Sequence, residues 1–416
     1  MSWFFLVSVA LAMPLDEAVD AALTRSPTAD LARARVDAAE AQLSEVRARW
    51  MPTASANAGI VGQNRVTFSV ANMLPDIPLI DPTTIEPVVV QPGFLVQVGA
   101  EATQPLFVPS LSAAKASAEL GQDLARASGE VDRRRVEDAT VRVWHASAQA
   151  HAMRAQAERG VQLAEALLAK GQAIVELGAA AEDQLLPFQV GVARARANLV
   201  QAEAGVITAD GLLEQLSGLS GGASPAEPPT SAPELSVALA GVQRADLREA
   251  GARVSAAQSV ADLQRASRLP TVAATASLNV MDPAPGFGDT VNWRVGLGAR
   301  VPLTQGGVVR AKLDQANAQA AQARAGLALQ EERAAIEVRQ AHGELVRALA
   351  GVTAREDVVR IAQASTAAAE RRMNGGEASM LAVQRAQAEQ LAAEAQLTQA
   401  RSEAALAADL LRLAGR

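Results

Sequence analysis

Val295-Gly-Leu-Gly-Ala-Arg-Val-Pro-Leu303, closed by Gly306-Gly307, decides how this chain is organised. From Val291 to Arg300 apolar and polar residues alternate; a proline and a glycine pair follow, and then a long Ala-, Gln- and Arg-rich run begins. The same order stands earlier, where Val98-Gly99-Ala100 precedes Pro105-Leu106 and a second such run. Pro105 and Pro302, Gly178 and Gly375, and Gly218 and Gly415 are all 197 positions apart. Pro52 and Pro270, which open the corresponding segments, are 218 apart, so the first copy holds 21 extra residues between its prolines. A repeat of this length is a duplicated half-fold and not a solenoid unit.

Each copy opens with helical sequence. In the first, Leu15 to about Arg49 reads as helix, with Asp16, Glu17 and Asp20 near the positive end of its dipole. Ser26 and Pro27 mark a cap and a restart. Beyond Pro52 the period changes to two. Ala54–Ile60, Phe94–Thr103, Val272–Val280 and Val291–Arg300 each have one apolar and one polar face. Four strands of about nine residues have the length and alternation of strands in an outer-membrane barrel. Between the first two strands lies a loop with Pro75, Pro78, Pro82, Pro87 and Pro92, excluded from helices and central strands. Met281–Asp289 is its shorter counterpart.

After Pro109 a helix is expected to about Leu177, a break at Gly178, and a second helix to Gly218. The second copy repeats this from Gly307 to about Met373, breaks at Gly375-Gly376 and continues to Ala414. Leu313, Ala316, Ala320, Ala323 and Leu327 have the 3,4 spacing of a coiled-coil stripe, and its small residues allow close helix approach. Ser217–Pro233, rich in Gly, Ser and Pro, joins the halves.

Composition narrows the function. Hydrophobic residues make up 49% of the chain but aromatics only 3%, so helices packed through alanine replace a large aromatic core. A net charge of −7 offers no basic face to nucleic acid. There is no cysteine, and the three histidines, His145, His151 and His342, lack metal-site spacing and read as helix-surface or packing residues. Arg133-Arg134-Arg135 reads as a solvated helix face. Neither a catalytic constellation nor a cofactor site is legible. Residues 1–12, an apolar run ending Ala10-Leu11-Ala12, read as a signal peptide. The expected organisation is therefore 1–12 as signal, 13–218 as first repeat, 219–233 as linker and 234–416 as second repeat, both repeats building one fold.

Several short motifs carry a resemblance. Arg244-Ala-Asp-Leu-Arg-Glu-Ala250, Leu269-Pro270-Thr271, Val295–Leu303 with Gly306-Gly307, and Arg372-Met-Asn-Gly-Gly-Glu-Ala-Ser379 stand in the order of the TolC-like outer membrane efflux protein family. Gln104-Pro-Leu-Phe107 repeats one of them loosely in the first half. The chain resembles that family over nearly its whole length after the signal.

The resemblance implies a mainly α fold with a small membrane β-barrel portion. It implies a homotrimer whose chains together close a twelve-stranded barrel in outer membrane lipid and an α-helical barrel across the periplasm. It implies a passive exit duct for efflux or type I secretion, served by a periplasmic adaptor and an inner-membrane RND or ABC transporter. The helix breaks would form the periplasmic tip, gate and adaptor contact: Gly178, Glu182 and Asp183 in one copy, Gly375, Gly376, Glu377 and Arg385 in the other. Where some members carry an acidic gate, this chain has Ala382 and Arg385, so Glu182, Asp183 or Glu377 would have to supply an acidic ring. Trp50, Phe94, Phe107 and Trp293 are candidates for aromatics at the membrane interfaces. The competing expectation, from another class, is a soluble periplasmic coiled-coil scaffold or adaptor.

Overall fold

The computed structural model describes residues 13–68, 87–177, 181–224, 227–240, 243–284, 290–304, 306–375 and 377–415. The signal segment, most of the Pro-rich loop, and Gly178, Gly376 and Phe287 lie outside them. The elements in order are α1 (Leu15–Arg25), α2 (Pro27–Ala48), β1 (Thr53–Gly62), β2 (Val66–Phe68), β3 (Val88–Gln91), β4 (Phe94–Phe107), α3 (Pro109–Glu176), a 3-10 turn (Glu182–Leu185), α4 (Leu186–Ser217), α5 (Leu235–Ala240), α6 (Ala245–Ala266), β5 (Thr271–Asp282), β6 (Val291–Arg300), α7 (Val308–Asn374) and α8 (Met380–Gly415). The chain forms two compact units, each drawing on both halves of the sequence.

The unit made of residues 37–124 and 252–324 holds the sheet. Its strand order is β1-β4-β5-β6, with every pair antiparallel. β4 and β5, at 14 and 12 residues, exceed the nine expected. The β4–β5 register shifts between Pro105 and Phe107, because proline has no N–H for the ladder and is accommodated at a bulge. The loop between the first two strands is corrected by the structure. Val66–Phe68 and Val88–Gln91 pair into a separate ribbon, with Pro87 and Pro92 just outside its second strand.

One face of the sheet is apolar and open: Ile60, Val98, Val291, Trp293, Val295 and Leu297 are all more than half exposed. The other carries Ser55, Asn57, Glu101, Thr103, Ser277, Asn279 and Arg294. Gly99 lies in this second face between Asn57 and Asn279, and a Cβ there would come within 2.5 Å of one amide oxygen and 2.7 Å of the other. Gly306 and Gly307, with φ of 58° and 82°, make the left-handed turn from sheet to helix that L residues disfavour.

The other unit, residues 13–36, 125–251 and 325–415 as described, is helical. Ser26 separates α1 from α2, and its Oγ accepts the Thr28 N–H at 3.2 Å. Gly218 ends α4 in the left-handed conformation, φ 74°, with its N–H on Glu214 O at 2.7 Å, a glycine helix stop. The linker after it is pinned: Met13 pairs with Ala223 in a parallel bridge, and the Trp144 indole donates to Met13 O at 2.9 Å. Trp144, Ala148 and Leu213 pack with them.

The predicted stripe on α7 is present, with Ala316 and Ala320 buried and Leu313, Ala323 and Leu327 half-buried. Farther along, Val338, Leu345, Val352, Val359 and Thr366 are all buried and recur every seven residues, the spacing of a left-handed supercoil. Between Leu327 and Val338 the inward positions are Gln330 and Ala334, an 11-residue spacing that locally relaxes that supercoil.

Leu213 is fully buried. Leu213→Ala is expected to cost about 3 kcal/mol, measured as a lowered denaturant midpoint with an unchanged slope.

Candidate functional site: the hairpin tips and the polar cluster

Where α7 departs from its heptads, a polar cluster occupies the interior. The Arg244 guanidinium, whose side chain is only 4% exposed, holds both Asp246 oxygens at 2.9 and 2.6 Å and Glu337 Oε2 at 2.5 Å. Gln330 Nε2 donates to Asp246 Oδ2 at 2.6 Å, and Arg134 donates to Leu413 O at 2.8 Å. Burial works against the Asp246 carboxylate, but hydrogen bonds from Arg244 and Gln330 outweigh it and hold its pKa below the usual carboxylate range. Hydrogen bonding to Asp246 likewise strengthens the hold of Arg244 on its proton. Arg134 corrects the expectation of a solvated Arg133-Arg134-Arg135 face. Arg133 and Arg135 are exposed, but Arg134 is turned inward beside Asp246, and burial lowers its pKa.

The histidines are structural as well. His145 is buried 2.8 Å from Asp409, and His151 lies 2.9 Å from Asp210, which also accepts from Ser147 at 2.5 Å. His342 is 2.8 Å from Pro233 O. Among the described residues no group of histidines and acids is arranged to hold a metal ion.

At the helix breaks, Glu182 and Asp183 lie exposed in the 3-10 turn, while Leu185 of the same turn is buried against Gly171. Opposite, the Gly375 N–H reaches Arg371 O at 3.0 Å and the Glu377 N–H reaches Arg372 O at 2.8 Å. Glu377, Arg371, Arg372 and Arg385 are exposed. The described tips thus mix both signs of charge.

The two copies meet here. Gln384 Nε2 donates to Pro187 O at 3.1 Å, a contact between positions 197 apart, which is the repeat offset itself. Phe188 is buried with Leu167 and Val383, whereas Arg385, its counterpart by the same offset, is exposed. A groove of about 1050 Å³ runs beside this contact, walled by Leu163, Leu186, Phe188, Gly191, Arg194, Arg385 and Leu391. Lower in the helices, Glu394 accepts from Gln390 and Gln156 at 2.9 and 3.3 Å. Despite its burial, these bonds keep its pKa low. The buried Phe188 and the groove were not legible beforehand, because an apolar residue at a helix start has no signature separating it from ordinary core.

Of the aromatic candidates, Phe94 and Phe107 lie at opposite ends of β4 and are more than half exposed. Trp50 follows α2, and its carbonyl accepts from Gln104 at 2.9 Å. Trp293, 74% exposed, pairs with Leu278, which pairs with Ala100 in mid-sheet. The register therefore does not bring Trp293 level with Phe94, which pairs with Gly62.

Residues 237–415 match the family described as Outer membrane efflux protein. The match lies within the second half of the chain. No curated protein matches the chain significantly by sequence. Solved structures match the efflux-protein fold over both halves. VceC, an outer membrane protein of Vibrio cholerae, aligns with 18% identity over 96% of each chain at a TM-score of 0.73. CusC aligns with 16% identity over 97% of this chain and 92% of its own at 0.78. The MtrE outer membrane channel of Neisseria gonorrhoeae aligns with 18% identity over 96% and 88% at 0.73.

The buried cluster of Arg244, Asp246, Gln330 and Glu337 is testable. Asp246→Asn leaves the buried Arg244 charge underpaired, at an expected cost of about 3 kcal/mol in denaturant unfolding at neutral pH. A depressed folded-state pKa contributes stability that is present above the unfolded value and lost as pH falls through the folded one. Wild-type stability should therefore fall more steeply with acid than that of Asp246→Asn, which has no carboxylate there to protonate.

Proposed function

We propose that the chain is the outer membrane exit duct of a tripartite efflux or type I secretion system. It would be a passive conduit through outer membrane and periplasm. The observation that carries this reading is the four-stranded sheet: one face is apolar and exposed, the other polar, and β1 and β6 are its edges. Lipid requires the apolar face outside and every backbone group paired. Four strands cannot close alone, since about eight is the practical minimum for a barrel. Three copies, joined β6 to β1, would give twelve strands with no free edge. Among the described residues no helix is long and apolar enough to span a membrane, so in this reading the strands are the membrane part. The likeness to VceC, CusC and MtrE supports it. The structures of CusC concern conformational changes accompanying folding and transmembrane channel formation, and that of MtrE an open state.

In this duct the tips with Glu182, Asp183, Gly375, Glu377 and Arg385 form the periplasmic entrance, opened by a periplasmic adaptor working with an inner-membrane RND or ABC transporter. The mixed charges there support a gate other than a purely acidic ring. The groove beside Phe188 supports helix docking, because its apolar wall is exposed at Leu186 and Val190.

Extraction from outer membrane should require detergent, and native mass spectrometry of the extract should give trimers; a stable monomer released in plain buffer would refute the duct. Gly191 is the tight point of the groove, where a Cβ would come within 2.9 Å of Gln384 Nε2. A photo-crosslinker at Leu186 should capture the adaptor in the native cell. Gly191→Trp should reduce that capture at least several-fold while leaving the trimer intact; undiminished capture would remove the groove from the docking surface.

A further inference from the structure

We infer that the bore of the membrane barrel is an anion-preferring section, set by Arg294 and Arg300 with Glu101 as the opposing charge. The inference rests on the duct reading and adds to it a selectivity located in the strands and separate from the tips.

The polar face of the sheet is read off its register. Ser55 pairs with Glu101, Glu101 with Ser277 and Ser277 with Arg294, so these four side chains form one row across the sheet. The next row holds Asn57, Gly99, Asn279 and Asn292, and the row on the other side Thr53, Thr103, Thr275 and Gly296. Arg300 pairs with Thr271 at the helix-proximal end of the same face. Along β1, β4, β5 and β6 this face carries no other charged residue. Its charges are therefore two arginines for each glutamate, in a chain whose overall charge is −7.

The three charges are available to solute. Glu101, Arg294 and Arg300 are exposed, and none has an ion-pair partner among the described residues. Glu101 and Arg294 stand two strands apart, about 10 Å, with Ser277 between them, too far for a direct salt bridge. Rings of Arg or Lys favour anions in pores, and a low-dielectric wall concentrates their field in the lumen. Around this bore the Ser, Thr and Asn rows present neutral hydrogen-bonding groups that discriminate little between ions of either sign. The preference is thus carried by the arginine excess, and it should be strongest at low ionic strength, where the screening length reaches about 30 Å.

The test is the reversal potential of the purified full-length protein in planar bilayers under a KCl gradient with its dilute side near 0.01 M, roughly where screening is weakest. Arg294→Glu/Arg300→Glu should lower the chloride-to-potassium permeability ratio several-fold relative to wild type, Arg294→Gln/Arg300→Gln should lower it less, and Glu101→Gln should raise it. Glu182→Gln/Asp183→Asn at the tip should leave the step between wild type and the arginine variants in place. The neutral arginine variant keeps the test decisive if charge reversal prevents assembly. Equal permeability ratios in conducting wild type, arginine variants and Glu101→Gln would overturn the inference while leaving the duct intact. A wild-type protein that inserts but conducts no ions would instead contradict the duct itself.

Discussion

A four-stranded antiparallel sheet with an exposed apolar face has two problems that no rearrangement of its own strands removes. Its outer strands, β1 and β6, present unpaired N–H and C=O groups along one side, and its apolar face, with Trp293, Val295 and Leu297 all more than two-thirds exposed, is left uncovered by the described residues. In water such a sheet invites aggregation. In lipid the unpaired groups cost several kcal/mol each. Joining β6 of one copy to β1 of the next would remove both penalties together, since closure pairs the backbone and lipid covers Trp293, Val295 and Leu297. On this account oligomerisation follows from the strand count, and the proposed duct from oligomerisation.

The helices supply what the strands lack. Alanine-rich stripes along α7 let helices approach closely, with heptad spacing from Val338 to Thr366. The 11-residue spacing between Leu327 and Val338 interrupts that regularity where Arg244, Asp246, Gln330 and Glu337 bond together. A local loosening of the supercoil makes room for a charged cluster in a position that regular packing would fill with alanine or valine. The cluster in turn fixes the start of α6 against α7 through bonds that small side chains cannot make.

Much of this was written in the sequence. The 197-residue offset, the period-two strands and the α7 stripe all come from local rules: proline and glycine interrupt, alternation marks strands, and 3,4 spacing marks a helix face. The β2–β3 ribbon escaped notice because Val66–Phe68 is too short to show a period, and prolines dominate the surrounding segment. Arg134 escaped because a triplet of arginines looks solvated when read linearly, whereas one helix position in the triplet faces inward. Phe188 and the groove depend on which helices meet, and the pairing of Gln384 with Pro187 is a product of tertiary structure. The polar character of one sheet face was legible strand by strand. The placement of Glu101 and Arg294 in one row needed the register.

The central claim is that β6 of one copy pairs with β1 of the next. The natural chain has no cysteine, so paired substitutions report without background. Val295→Cys on β6, combined in turn with Ala54→Cys, Ala56→Cys or Ala58→Cys on β1, samples neighbouring registers of that junction. A disulfide needs Cα atoms roughly 4.4–6.8 Å apart. Oxidation in outer membranes should give covalent dimers and trimers for the pair that matches the register and far less for the others. Monomers alone, at every register tested, would contradict the account.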